Sequence, residues 1–75
     1  MKDFKLYHTT EYVYANGKVQ QFNDYLGVIQ AKNLLSATKK GIVLAKKMKL
    51  PIGVYYGRGD DYTRKFIKAK EVETE

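Results

Sequence analysis

The chain has 75 residues, a formal net charge of +6, one histidine and neither cysteine nor tryptophan. A chain this short is one domain, expected to span 1–75, and its core supplies only ~3–5 kcal/mol of net stability. The composition excludes disulfides and a Cys/His zinc site, and no stretch approaches the ~20 apolar residues of a membrane span. So small a core makes a homodimer a reasonable expectation. No apolar segment follows Met1, so the expected location is the cytoplasm, or the host cytoplasm for a viral protein.

The charge is unevenly spread. Between Tyr25 and Gly59 there is no acidic residue, yet Lys32, Lys39, Lys40, Lys46, Lys47, Lys49 and Arg58 fall there. A positive middle can steer a polyanion; the plainer reading is that lysines keep a small domain soluble.

Residues 4–8 alternate apolar and polar, which predicts a first strand. Thr9-Thr10 reads as a break. Residues 11–15 and 18–22 flank Asn16-Gly17, the signal of a hairpin closed by a type I′ turn. That turn predicts Tyr14 opposite Val19 and Tyr12 opposite Gln21 on one face, with Val13 opposite Gln20 and Glu11 opposite Phe22 on the other. The pattern does not choose the buried face. In 25–35 apolar residues surround a helical wheel, and either a further strand over 25–29 or a helix starting near Asp24 fits.

Residues 36–49 predict a helix with Ser36 as N-cap. Ala37, Gly41, Leu44, Ala45 and Met48 make its apolar stripe, with Lys39, Lys40, Lys46 and Lys47 opposite. Pro51 stops it. Residues 52–56 and 62–67 read as a second hairpin about a turn centred on Gly59-Asp60. That register puts Ile52, Val54, Tyr56 and Ile67 on one face and Tyr55, Arg64 and Phe66 on the other. The acidic tail, 70–75, is expected to fray. The sum is an α+β fold: a small antiparallel sheet of four to five strands with two hairpins, one helix on one face, and the order β-β-β-(β)-α-β-β.

Little points to catalysis. A lone histidine in an alternating strand is far more often structural than catalytic, and Asp60-Asp61 is turn chemistry rather than an acid/base or metal pair. Gly53, Gly57 and Gly59 have the wrong spacing for a phosphate loop and read as hairpin glycines. Arg58-Gly59-Asp60 spells the adhesion tripeptide and is read as coincidence. No enzyme activity, cofactor or metal is expected.

Two features point to binding. The helix lysines can follow a phosphate backbone, against the plain alternative of a solvated helix face. The seven tyrosines exceed what a small core needs, since each buried hydroxyl must find a partner. Tyrosines on an open sheet face can stack bases beside cations, and Tyr55 with Arg64 fits that picture. A cross-strand Tyr–Arg pair also has a purely structural reading. The helix stripe is too small and lacks the aromatic residues of a membrane-surface helix. The expectation is a non-enzymatic nucleic-acid-binding protein that uses Lys39, Lys40, Lys46, Lys47, Tyr55, Arg58 and Arg64, with salt-sensitive binding largely indifferent to sequence. The alternative is a protein-binding module that docks on an acidic partner, such as the small regulators or inhibitors of phages and viruses.

Overall fold

A computed structural model of the chain describes residues 1–73. Its elements are β1 (Lys2–Val13), β2 (Val19–Ala31), α1 (Leu34–Lys47), β3 (Gly53–Tyr56) and β4 (Tyr62–Glu71). The four strands form one antiparallel sheet in the order β2-β1-β4-β3, and α1 packs on one face. The fold is therefore α+β, with four strands in the order β-β-α-β-β.

The expected fifth strand is absent among the described residues, because two expected interruptions do not break the chain. Thr9 and Thr10 continue β1, where a β-branched side chain suits the pleat. Thr9 is fully buried and its hydroxyl donates to Asn23 Oδ1 at 2.7 Å. Residues 25–29 likewise continue β2. Their alternation is hidden by a β-bulge: Tyr7 faces Tyr25 and Leu6 faces Gly27, so Leu26 is the extra residue. The bulge lets Leu26 pack on the core beside Ile29. The strand alternative for 25–29 thus holds, and β2 runs on to Ala31.

The first hairpin closes differently from the expected type I′ turn. Tyr14 N–H donates to the Lys18 carbonyl and Gly17 N–H to the Tyr14 carbonyl, both at 2.9 Å. Only Gly17 in this loop takes positive φ, at 87°, and Asn16 Oδ1 accepts from Lys18 N–H. This is a three-residue loop ending in a glycine bulge. The register moves by one, to Val13 opposite Val19 and Tyr12 opposite Gln20. Glu11 now shares a face with Gln21, while Tyr12 shares the other with Phe22.

The helix starts two residues before the expected position. Asn33, not Ser36, is the N-cap, and its side chain accepts from Ser36 N–H at 2.9 Å. At the C-terminus Leu50 N–H reaches the Ala45 carbonyl and Lys49 N–H the Lys46 carbonyl. These are the two bonds of a Schellman cap, with Lys49 in the left-handed position at φ 58°. Ala37, Gly41 and Ala45 face the sheet, Leu44 is half-buried, and Met48 is exposed despite its place in the stripe. Phe4, Ala31 and Ala37 form one core cluster; Leu6, Ala45 and Ile67 form the next. Small helix residues set this closeness: a Cβ on Gly41 would stand 2.6 Å from Ile67 Cγ2.

The helix covers only one end of the sheet. Beyond it Pro51 carbonyl accepts from His8 Nε2 at 2.7 Å, which closes the covered region. From Thr10 to the hairpin tips the sheet stands without a helix. At its other end β4 runs through Lys70 to Glu71, and Val72 N–H donates to the Asp3 carbonyl, so the stretch 70–72 is paired. The last residues of the expected frayed tail, 74–75, lie outside the described residues.

Candidate functional site

Directly opposed residues in an antiparallel ladder point to the same face, so the registers decide which side chains meet. The face away from α1 collects Lys5, Tyr7, Thr9 and Glu11 of β1 with Lys70, Lys68, Phe66 and Arg64 of β4, opposite one another in that order. Tyr25 of β2 stands opposite Tyr7, with ring centroids 5.7 Å apart and planes tilted by 55°. Tyr56 and Tyr62 continue the aromatic surface at the β3 end, 6.4 Å apart.

The centre of this face is fixed by a polar clasp. Glu11 is buried, and its Oε1 accepts from Arg64 Nη2 at 2.7 Å and from Nε at 3.0 Å. Its Oε2 accepts from the Gln21 side-chain amide. The Gln21 hydrogen bond first, and then the Arg64 guanidinium, hold the Glu11 carboxyl below its ordinary pKa, against the opposing pull of burial. Arg64 also lies over the Phe66 ring at 5.3 Å from its centroid.

Away from the clasp the lysines of this face make no ion pair among the described residues. Lys5 stands directly opposite Lys70, with Lys68 two residues along the same face. None of the three has a carboxylate partner among the described ion pairs, which are Lys2–Glu71 and Arg64–Glu11. Like charges placed opposite each other repel, and an anion bridging them would remove that cost. Two shallow hollows flank Tyr7: one is lined by Lys5 and Lys70 but also by Glu71 and Glu73, which offset part of its positive charge, and the other by Asn23, Lys68 and Lys70 without an acidic residue. The arrangement can hold flat rings against Tyr7, Tyr25 and Phe66 while ammonium groups hold negative charge beside them.

The residues expected from sequence are dispersed. Lys39, Lys46 and Lys47 are exposed on α1, on the opposite side of the sheet from the aromatic face. Lys40 is exposed too, and its Nζ donates to the Gln30 carbonyl of edge strand β2 at 2.8 Å. Tyr55 and Arg64 do not share a face. The second hairpin is centred on Gly59 alone, so Val54 opposes Arg64 and Tyr55 opposes Thr63, on the helix side. Arg58 lies in the turn at the far end of the sheet, past the point where the helix stops. In that turn Asp61 N–H reaches the Arg58 carbonyl, and Asp61 Oδ1 accepts from Ala15 N–H at 2.6 Å, which ties the two hairpin tips together. Of the seven residues, Arg64 alone belongs to the aromatic face.

Sequence reasoning missed Lys5, Tyr7, Tyr25, Phe66, Lys68 and Lys70. The signal was present in β4, where Arg64, Phe66, Lys68 and Lys70 alternate with Lys65, Ile67 and Ala69. Ile67 and Ala69 mark the core face, which leaves cations and a ring on the other. Among the described residues no three His, Asp or Glu side chains gather as a metal site, and no helix is long and apolar enough to cross a membrane. No family model matches the chain, and no curated protein or solved structure matches it significantly.

Proposed function

We propose that the chain is a non-enzymatic nucleic-acid-binding protein whose contact surface is the open sheet face. The supporting observation is the Tyr7–Tyr25 pair and Phe66 set among Lys5, Lys68, Lys70 and Arg64 on a face that no helix covers. Aromatic rings on such a sheet stack unpaired bases, and the lysines neutralise the phosphates between them. A broad sheet face of this kind suits single-stranded rather than duplex nucleic acid, because stacking needs bases free of their partners. The helix lysines lie across the sheet and add to the field without touching the same short strand. Catalytic candidates are occupied elsewhere: His8 holds Pro51, and Asp61 holds Ala15.

Fluorescence anisotropy with a short labelled single strand, at rising salt, tests the reading. Phe66→Leu keeps bulk but removes the ring face and should cost ~1–3 kcal/mol of binding. Lys68→Gln should lower the slope of log affinity against log salt by about 0.7, the value for one phosphate contact on a single strand. Lys39→Glu should change affinity much less than either. Absence of saturable binding even at low salt would overturn the reading and direct the search to an acidic protein.

A further inference from the structure

We infer that the free edge of β2 pairs with β2 of a second copy, antiparallel about a two-fold axis at Phe22, to give one continuous eight-stranded sheet. The inference stands on edge geometry and is independent of what the open face binds.

The two halves of this edge differ. Along the half that ends at Ala31, the Leu26 bulge bends the strand and the Lys40 ammonium occupies the Gln30 carbonyl. Bulges and lysines are the usual means of keeping a strand edge from pairing. Val19–Tyr25 has neither, contains no proline, and carries large exposed residues on both faces: Val19 at 53%, Phe22 at 56% and Tyr25 at 58% exposure. The Tyr14 N–H bond to the Lys18 carbonyl fixes the alternation of the β1–β2 ladder. Counting from it, the N–H and C=O groups of Val19, Gln21, Asn23 and Tyr25 point outward.

In an antiparallel self-pairing these outward residues must oppose one another, which allows only a few registers. The one centred on Phe22 matches like with like. On the open face Val19 meets Tyr25 of the second copy, and Gln21 meets Asn23. On the helix face Phe22 meets Phe22, which extends the edge-on contact Tyr12 already makes with Phe22 at 5.8 Å. Gln20 meets Asp24, and Lys18 lies diagonal to Asp24, within reach of a long side chain. Lys18 and Asp24 are the only charged residues in 18–25, and the symmetry pairs each with its opposite. A two-fold perpendicular to the sheet keeps both open faces on one side, so the two aromatic and lysine surfaces become one, with the helices on the other side.

Sedimentation equilibrium and light scattering on the full chain test this. The expected result is a reversible dimer with twice the 8.7 kDa mass of the chain. Phe22→Lys sets two ammonium groups face to face and should raise the dissociation constant roughly tenfold or more. Val19→Pro removes an outward donor at the start of β2, at a side chain with no described hydrogen bond, and should also dissociate the dimer, with circular dichroism showing an intact fold. Asp24→Lys should weaken it and Lys18→Glu in that background restore it, a rescue that no contact within one copy explains. A wild-type chain that stays monomeric at high concentration, a dimer indifferent to these changes, or a charge exchange without rescue would overturn the proposal. All readouts are made without nucleic acid, so they fail or succeed apart from the binding assay.

Discussion

The two ends of the sheet are built on different principles. Under the helix, Phe4, Leu6, Ala31, Ala37 and Ala45 are essentially fully buried and the contacts are apolar. Beyond it Tyr12 is partly exposed and Phe22 more than half exposed, and the order comes from polar ties: Glu11 with Arg64 and Gln21, and Asp61 with Ala15. This chain concentrates its apolar burial at one end of the sheet and holds the other end largely by polar ties. Apolar burial is worth ~25 cal/mol per Å², whereas part-exposed polar ties contribute far less net stability and mainly fix geometry. On the open face, Lys5, Tyr7, Lys68 and Lys70 stand at the level of the apolar core and are backed by it, whereas Arg64 lies at the uncovered end and is held in place by its bonds to Glu11.

Substitutions at the two ends should therefore separate sharply. Leu6→Ala empties the centre of the second core cluster and should cost ~2–5 kcal/mol, about the whole stability of a domain this size. Urea denaturation should then show no cooperative transition. Tyr12→Ala at the uncovered end loses an edge-on ring contact and should cost only about 1 kcal/mol with the transition intact. Equal losses would break the comparison.

Gly41→Ala sharpens it within the covered end. Alanine normally stabilises a helix interior by ~1 kcal/mol over glycine. Here its methyl would lie 2.6 Å from Ile67 Cγ2 and 3.1 Å from Leu6 Cδ2. Ile67 is stiff at χ1, so overpacking of ~1–3 kcal/mol outweighs the propensity gain. The denaturation midpoint should fall, and a rise would show that α1 can lift off the sheet.

The polar clasp makes a different prediction, in pH. Glu11 is held below its ordinary value near 4.5 in the folded chain. A depressed carboxylate contributes stability that is fully present above its unfolded pKa and lost as pH falls through its folded one. The clasp should therefore hold unchanged through neutral pH and weaken only in the acid range below about 4.5. Glu11→Gln should lower stability near pH 7 and flatten the acid limb of a stability–pH curve. Parallel acid limbs for the two proteins would remove Glu11 from that account.

The helix, the two hairpins and the α+β class were legible because each has a local signature: the small-residue stripe, Asn16-Gly17, and the glycine and aspartate turn. The strand count was less so. Thr9-Thr10 resembles a break only when the partner of the buried Thr9 hydroxyl, Asn23, distant in sequence, is ignored. Leu26 hides the alternation of 25–29 because a bulge inserts one residue into the pattern. The candidate face failed for one physical reason at both hairpins. Side-chain period in a strand is two, so a one-residue error in turn centre sends a residue to the opposite face. At Asn16-Gly17 the loop proved one residue longer, and at Gly59 the centre moved by half a position, which parted Tyr55 from Arg64.

The smallest effect concerns the junction between the two ends. The Schellman cap after α1 turns the chain from the covered end toward Pro51 and β3, and it needs a left-handed residue at its hinge. Lysine at φ 58° takes that conformation at a cost glycine does not bear. Lys49→Gly should therefore raise stability, although glycine also loses more entropy on folding, so the net gain should be below about 1 kcal/mol. Lys49 is exposed and makes no described side-chain hydrogen bond or ion pair, so the change isolates the backbone. A higher urea midpoint with an unchanged outcome in the single-strand anisotropy assay would show that the junction serves folding alone. A gain in stability with altered binding would mean that the cap also sets how far β3 leans against the aromatic surface.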